Sequence, residues 1–256
     1  MKKRGPWIRR MGFIRDQEGI MNRYLREKSN WAPHLERTRA FINASFQKDA
    51  PASVAVLGSG WLLDVPLEEM REQFGKIFLV DIRHPPQIRK RVAQMPEVEL
   101  IETDLTGGAV EQIWKNIRQQ KRIDPSTLPD NLTFSPPLTE VSPGAFISVN
   151  LLNQLDILVC DYLKKQGHFQ QSDLSRVRSW LQRNHVDWIS SRPGCLITDT
   201  RETQVTRDGK EISNSLVYCD LPTGIRRETW DWEFDSQGTY HPGSRTRMEV
   251  RAVEWA

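Results

Sequence analysis

Three stretches of this 256-residue chain place small or acidic residues directly after apolar runs, where a strand ends and a ligand can approach. The first is VAVLGSGWLLDVP, residues 54–66, in which Gly58-Ser59-Gly60 follows the run SVAVL. Glycines there let the backbone turn sharply and come within contact distance of a bound nucleotide or nucleoside. The second is Asp81, which ends KIFLV 23 residues beyond Gly58. A carboxylate at that point can accept hydrogen bonds from both hydroxyls of a ribose, and a charge-assisted bond of this kind contributes roughly 1.5–3 kcal/mol. Its plainer role would be to cap the helix opening at Pro85 or to pair with Arg83. The third is Asp104 in ETDLTG, able to accept from an exocyclic amine such as that of adenine, or simply to cap the following helix. Each feature alone is a weak signal. Three of them in order at three successive strand ends converge on one crevice.

The elements that must carry these residues can be read from apolar periodicity. Ser53–Leu57, Lys76–Val80, Val98–Ile101, Ala145–Val149 and Cys195–Thr198 are short buried-strand runs. Between them lie helical patterns: Pro66 to about Phe74, Pro85 to about Gln94, Ala109–Gln119, Leu151–Leu163 and Leu174–Ile189. Alternating strands and helices predict a doubly wound, mostly parallel sheet covered on both faces. Two more alternating runs, Ser215–Cys219 and Arg247–Trp255, with Trp230 and Trp232 between them, predict an antiparallel C-terminal strand pair closing the sheet. Ahead of the first strand, apolar spacings over residues 20–46 predict two helices broken near Pro33. The expected organisation is a basic helical N-terminal cap over 1–50 and an α/β domain over 51–256. Residues 121–143 hold five prolines and no apolar period, a loop long enough to be functional.

From about residue 53 to residue 200 the chain resembles the class I S-adenosylmethionine-dependent methyltransferases, and residues 213–255 would supply that family's two closing strands. The resemblance implies S-adenosylmethionine as cofactor. Gly58, Ser59 and Gly60 would lie along its methionine and ribose, Asp81 at the ribose hydroxyls and Asp104 at the adenine. Two positions depart from the family's first motif: Val56 stands where an acidic residue is usual, and Leu62 replaces the third glycine. The end of the fourth strand faces the acceptor in such enzymes, and Asn150 closes it here, able to orient a polar acceptor by donating and accepting. Asn150-Leu151-Leu152-Asn153 lacks the prolines and tyrosine of the Asn-Pro-Pro-Tyr motif of amino-methylating members, so that motif's way of holding an amine is not implied. Asn153 reads as a helix cap. A nicotinamide dinucleotide fold is the nearest rival, but Leu63 occupies the third-glycine position its fingerprint needs.

Other reactive residue types form no constellation. No metal site is expected, because His34, His84, His168, His185 and His241 make no ligand spacing with each other or with Cys160, Cys195 and Cys219. His34, His168 and His185 could serve as bases near a cleft or pack as core residues. Trp61 could wall the cofactor or pack beneath a helix. Trp230, Trp232, Arg245 and Arg247 fit base stacking with phosphate contacts, and fit strand-face packing equally well.

Composition narrows the classes. Hydrophobic residues make up 38% and charged residues 27%, enough for a sizeable core. Three widely spaced cysteines argue against a disulfide framework. The Arg9-Arg10 pair is not followed by an apolar stretch, and no run spans a bilayer, so a cytoplasmic protein without a membrane partner is expected. Net charge is +3, but residues 1–48 hold 12 Lys/Arg against 4 Asp/Glu while the remainder is acidic. A basic front segment points to an anionic partner or acceptor. Methyl transfer to an unidentified acceptor, anionic where the front segment meets it, is the leading expectation. The alternatives are a non-catalytic cofactor-binding or supporting subunit on the same fold, and a nucleic-acid binder driven by the front segment's charge.

Overall fold

The computed structural model describes residues 5–47, 50–119 and 124–256; parts of the expected front segment and of the 121–143 loop lie outside these. Five runs of buried apolar residues form the parallel strands β1 (Ser53–Leu57), β2 (Lys76–Asp81), β3 (Val98–Glu102), β4 (Ala145–Val149) and the first half of β5 (Gly194–Thr206). Val54–Leu57 and Ala145–Val149 are buried on both faces, as a parallel sheet covered by helices requires. The sheet runs β3-β2-β1-β4-β5-β8-β7, where β7 is Arg226–Asp235 and β8 is Ser244–Trp255. β8 is antiparallel to both β5 and β7. The expected doubly wound sheet with an antiparallel C-terminal pair is therefore present. Strand order reverses between β1 and β4, which opens a crevice at their carboxyl ends, where ligands bind in open α/β sheets.

Helices α3 (Leu67–Gln73), α4 (Pro86–Val92), α5 (Ala109–Gln119), α6 (Gln154–Lys164) and α7 (Gln171–Ile189) connect the strands. At the front, α1 (Trp7–Arg10) is followed by one long helix, α2 (Phe13–Ser45). Its irregular residue is Glu27, not Pro33 as the sequence suggested. Pro33 removes one backbone bond and loosens the turn before it. The bend settles at Glu27 because that buried carboxylate accepts from Asn30 Nδ2 and from the backbone N and Oγ of Ser236. Trp31, Leu35, Phe41, Ile42 and Phe46 pack into the same core as the strands.

Two further expectations need correction. The run Ser215–Cys219 is not a strand; β6 is Glu211–Ser215, paired with β5. The backbone just beyond it is held by a side chain instead: Gln182 Nε2 donates to the Leu216 carbonyl and Gln182 Oε1 accepts from the Tyr218 amide. Trp230 and Trp232 belong to a strand of their own, β7, with both rings buried against α2. No helix of the described residues is long and apolar enough to cross a membrane.

Candidate functional site

A cavity of about 470 Å³ lies at the carboxyl ends of β1, β2, β4 and β5. The amino-terminal half of α2 roofs it, and Trp232, Phe234, Tyr240 and Met248 of the C-terminal strand region wall one side. Gly58, Ser59, Gly60, Asp81, Asp104 and Asn150, the residues singled out in the sequence, all line it.

The glycine turn is shaped by its neighbours. Gly58 has φ +81°, and a Cβ there would sit 2.8 Å from the Val149 carbonyl oxygen and 2.9 Å from Leu151 Cβ. Its close approach is to the end of β4, so glycine is required for packing before any ligand arrives. Gly60, at φ +39°, is roomier: a Cβ there would lie 3.6 Å from Asp81 Oδ2. The amides of Gly58 and Ser59 both donate to the Val80 carbonyl, at 3.0 and 3.3 Å, and Gly60 N donates to Asp81 Oδ2 at 2.8 Å. The turn's three amide donors are thus committed internally. Ser59 Oγ lies 3.0 Å from His84 Nε2, so only backbone atoms of Ser59 are left for a ligand. Leu62, where the motif has its third glycine, adopts φ +55° while buried, a strained conformation for a bulky residue.

The two acidic residues at the strand ends differ in their freedom. Asp81 Oδ1 accepts from the amides of Ile82 (2.7 Å) and Arg83 (3.4 Å) and Oδ2 from Gly60, which leaves acceptor capacity on Oδ2. Burial pushes its carboxyl up to about 6, against the pull of those backbone bonds. Asp104 Oδ1 accepts from Thr106 N and Oγ1 at 2.9 and 2.6 Å, the local capping role. Its Oδ2 is buried with no hydrogen-bond partner. Burial raises this carboxyl too, with the Thr106 bonds opposing.

Asn150 sits in the left-handed region at φ +47°, which asparagine tolerates better than most residues. Its Nδ2 is 2.6 Å from Asp64 Oδ2 and 3.2 Å from His34 Nε2, and the other amide atom is buried without a partner. His34 stacks on Trp232 at 3.9 Å and accepts from Trp230 Nε1 at Nδ1; burial lowers its pKa to about 3. Neutral and enclosed, it is a poor base but a good support for Asn150. Asn153 does not cap α6, since its side chain makes no cap bond and Nδ2 donates to Asp199 Oδ2 at 3.2 Å.

Other expected candidates fall away from the cavity. His185 is buried against Ser148 Oγ at 2.9 Å, and His168 packs on Phe169. Arg245 and Arg247 are exposed. Trp61 lines the cavity and donates from Nε1 to the Gln17 carbonyl at 2.8 Å, tying α2 to the glycine turn. The described part of the Pro-rich loop contributes no lining residue and instead buries Leu128, Leu132 and Leu138.

Sequence reading missed Asp64, Asp199 and Arg23, all of which line the cavity. Asp199 was within reach of the rule that found Asp81 and Asp104, because it follows the fifth apolar run in LITDTRE. Burial, with Asp64 and Glu202 nearby, pushes its carboxyl up to about 7. Arg23 lies between the rings of Phe234 and Tyr240, 4.6 and 4.8 Å from their centroids. No periodicity marks such a contact across more than 200 residues.

No family model and no curated protein matches the chain. Among solved structures, it is similar to the N-methyltransferase NodS from Bradyrhizobium japonicum WM9 in complex with S-adenosylhomocysteine, at 10% identity and TM-score 0.38, covering 86% of each chain. It is also similar to the Burkholderia thailandensis 1,6-didemethyltoxoflavin-N1-methyltransferase, at 10% identity and TM-score 0.41, covering 94% of this chain and 87% of that one. At these scores and identities the likeness carries no conclusion about chemistry.

Proposed function

We propose that the chain binds S-adenosylmethionine in this cavity and transfers its methyl group to a polar acceptor held near Asn150. The observation that carries the reading is the acceptor-rich lining. Asp81 keeps lone-pair capacity on Oδ2, and Asp104 offers a buried oxygen with no partner. Ribose hydroxyls and an adenine amine are donors, and they match these groups. A dinucleotide would need free amides at the glycine turn for its pyrophosphate. Those of Gly58, Ser59 and Gly60 are already taken by Val80 and Asp81. The cavity volume also lies within the usual range for small-molecule sites, about 300–1,000 Å³.

When bound, the cofactor supplies a methyl group on a sulfonium that is its own leaving group. The chain's part is alignment and exclusion of water, which can supply much of a rate enhancement. Asn150 orients the acceptor through its unpartnered amide atom while Asp64 and His34 fix its plane. The roof of α2, latched to the turn by Trp61, shields the reacting atoms. A supporting-subunit role on the same fold has one feature in its favour: Leu62 keeps the glycine-like backbone but not the glycine. Arg9, Arg10, Arg15, Arg26, Lys28 and Arg37 of the front segment are exposed and form a surface open to an anionic partner.

Calorimetry with S-adenosylhomocysteine, S-adenosylmethionine and a nicotinamide dinucleotide tests the reading. Binding of the first two and not the third is the expected result. Failure to bind either adenosyl compound would overturn it.

A further inference from the structure

The cavity contains a second set of polar groups that the cofactor reading does not use. Asp199, 5% exposed, and Asn153, also 5% exposed, both line it. They are joined through Asn153 Nδ2 and Asp199 Oδ2, yet Asp199 Oδ1 and Asn153 Oδ1 are each buried without a hydrogen-bond partner. Buried acceptors are nearly always satisfied, so two adjacent orphans call for a donor from outside the chain. The charged side chains acting on Asp199 are Asp64 and Glu202, both acidic, and Tyr240 is the further titratable group coupled to it. Glu202 is matched by His241 at 3.0 Å and Asp64 by the Asn150 amide; Asp199 has no ion pair among the described residues. The missing partner is therefore a cation with several donors.

Backbone placement explains why Asp199 faces inward. The Asn150 amide donates to the Ile197 carbonyl at 2.9 Å, so Asp199 lies just beyond the level where β4 ends. The β5–β8 ladder shifts register between Asp199 and Arg201. Such bulges re-aim side chains and recur beside active sites. Trp232, Phe234 and Met248 add an apolar wall for the body of the ligand.

We infer that the methyl acceptor is an amine, received as an ammonium ion by Asp199 and Asn153 and relieved of its proton by Asp199. The inference rests on the proposed cofactor reading. An ammonium carries three donors and no acceptor, which fits two orphan oxygens in an acidic setting. In the reaction, one N–H proton passes to the Asp199 carboxylate and leaves the nitrogen lone pair free. That pair forms the new N–C bond to the methyl carbon as the C–S bond breaks, its electrons staying on sulfur to give a neutral thioether. The product leaves as an N-methylammonium ion, and Asp199 returns its proton to solvent. A carboxyl held near 7 by burial is suited to accept a proton at neutral pH. The grip differs from the Asn-Pro-Pro-Tyr arrangement, since it uses side chains of β5 and the start of α6.

The test uses the full chain saturated with S-adenosylhomocysteine, titrated with benzylammonium and with benzyl alcohol at about pH 8, where the carboxyl is ionised. Benzylammonium should bind at least about tenfold more tightly than the alcohol, as expected for a charge-assisted bond. Asp199→Asn should abolish that preference and leave S-adenosylhomocysteine affinity within about twofold of the wild type. Equal binding of the two probes by the wild type, or a preference that survives in Asp199→Asn, would overturn the inference. Should the variant fail to fold, the wild-type comparison decides alone. Failure of the wild type to bind S-adenosylhomocysteine is a different outcome, which removes the cofactor reading and this inference with it.

Discussion

Asn150 and Asp64, 86 positions apart in the chain, meet at 2.6 Å on the cavity lining, amide against carboxyl. The contact carries a proton count. Trp230 can only donate, so its bond to His34 Nδ1 places the His34 proton on Nε2, facing the same Asn150 amide at 3.2 Å. Both neighbours are satisfied when the amide oxygen takes the His34 proton and Asp64, whose carboxyl burial raises, also donates to it. The Asn150 NH₂ group is then the atom turned toward the acceptor.

That arrangement predicts a protonated Asp64 at neutral pH. Infrared difference spectra of wild type against Asp64→Asn should contain a carboxylic acid C=O band that the variant lacks. A spectrum with only ionised-carboxylate bands would sink the assignment.

Asn150 has two separable roles, one for its backbone and one for its amide. Asn150→Ala should lower turnover by more than about tenfold with S-adenosylhomocysteine affinity nearly unchanged, the pattern of an interaction made in the transition state. Alanine is also strained at a φ of +47°, so the melting temperature should fall. Asn150→Gly tolerates that φ and should recover part of the stability without the turnover. Recovery of turnover in the glycine variant would leave the amide without a role.

Asp81→Ala should weaken S-adenosylhomocysteine binding by about 10- to 100-fold, since it removes charge-assisted acceptors. Gly58→Ala is expected to act on the fold itself, because its methyl meets the Val149 carbonyl at 2.8 Å and φ is +81°. Gly60→Ala meets nothing closer than 3.6 Å and should be the milder change. Thermal denaturation of the two glycine variants reads the difference, and equal destabilisation would contradict the packing account.

The raised carboxyl of Asp199 links stability to pH. Its folded value of about 7 lies above the ordinary 3.8, so the folded state binds the proton more tightly than the unfolded chain. The stabilisation is fully present below the ordinary value and is lost as pH rises through about 7. Relative to wild type without ligand, Asp199→Asn should therefore melt higher at about pH 8, and the gap should close toward about pH 4. A gap independent of pH would show that the carboxyl titrates normally.

The front segment was expected to bind a partner without touching the cofactor. Gly12 to Gly19 instead line the cavity, Trp61 bonds to Gln17, and Trp7, Ile8 and Met11 are buried. Deleting residues 1–19 should consequently weaken S-adenosylhomocysteine binding as well as association with an anionic partner. Partner binding, where it occurs, should fall as salt rises through screening. Unchanged cofactor affinity in the deletion, measured by calorimetry, would exclude α2 as part of the site.

The sequence by itself determined the sheet and the order of its polar strand ends. Buried strands and amphipathic helices leave periodic signals, and Gly58, Asp81 and Asp104 follow those signals at short range. It also determined that Asn150 closes β4, because a polar residue ends an unbroken apolar run there. Only the tertiary structure decided which partners these residues bond to. Whether the Gly60 amide is free depends on Asp81 reaching back across a turn, and whether Asn150 is held depends on His34 and Asp64 arriving from elsewhere in the chain. The bend of α2 at Glu27 rests on Ser236, more than two hundred residues away. The Ser215–Cys219 run reads as a strand, yet its backbone bonds go to the Gln182 side chain. Local spacing records which face a residue presents. It does not record which distant partner will satisfy it, and that choice made Asp199 the buried carboxylate with an oxygen to spare.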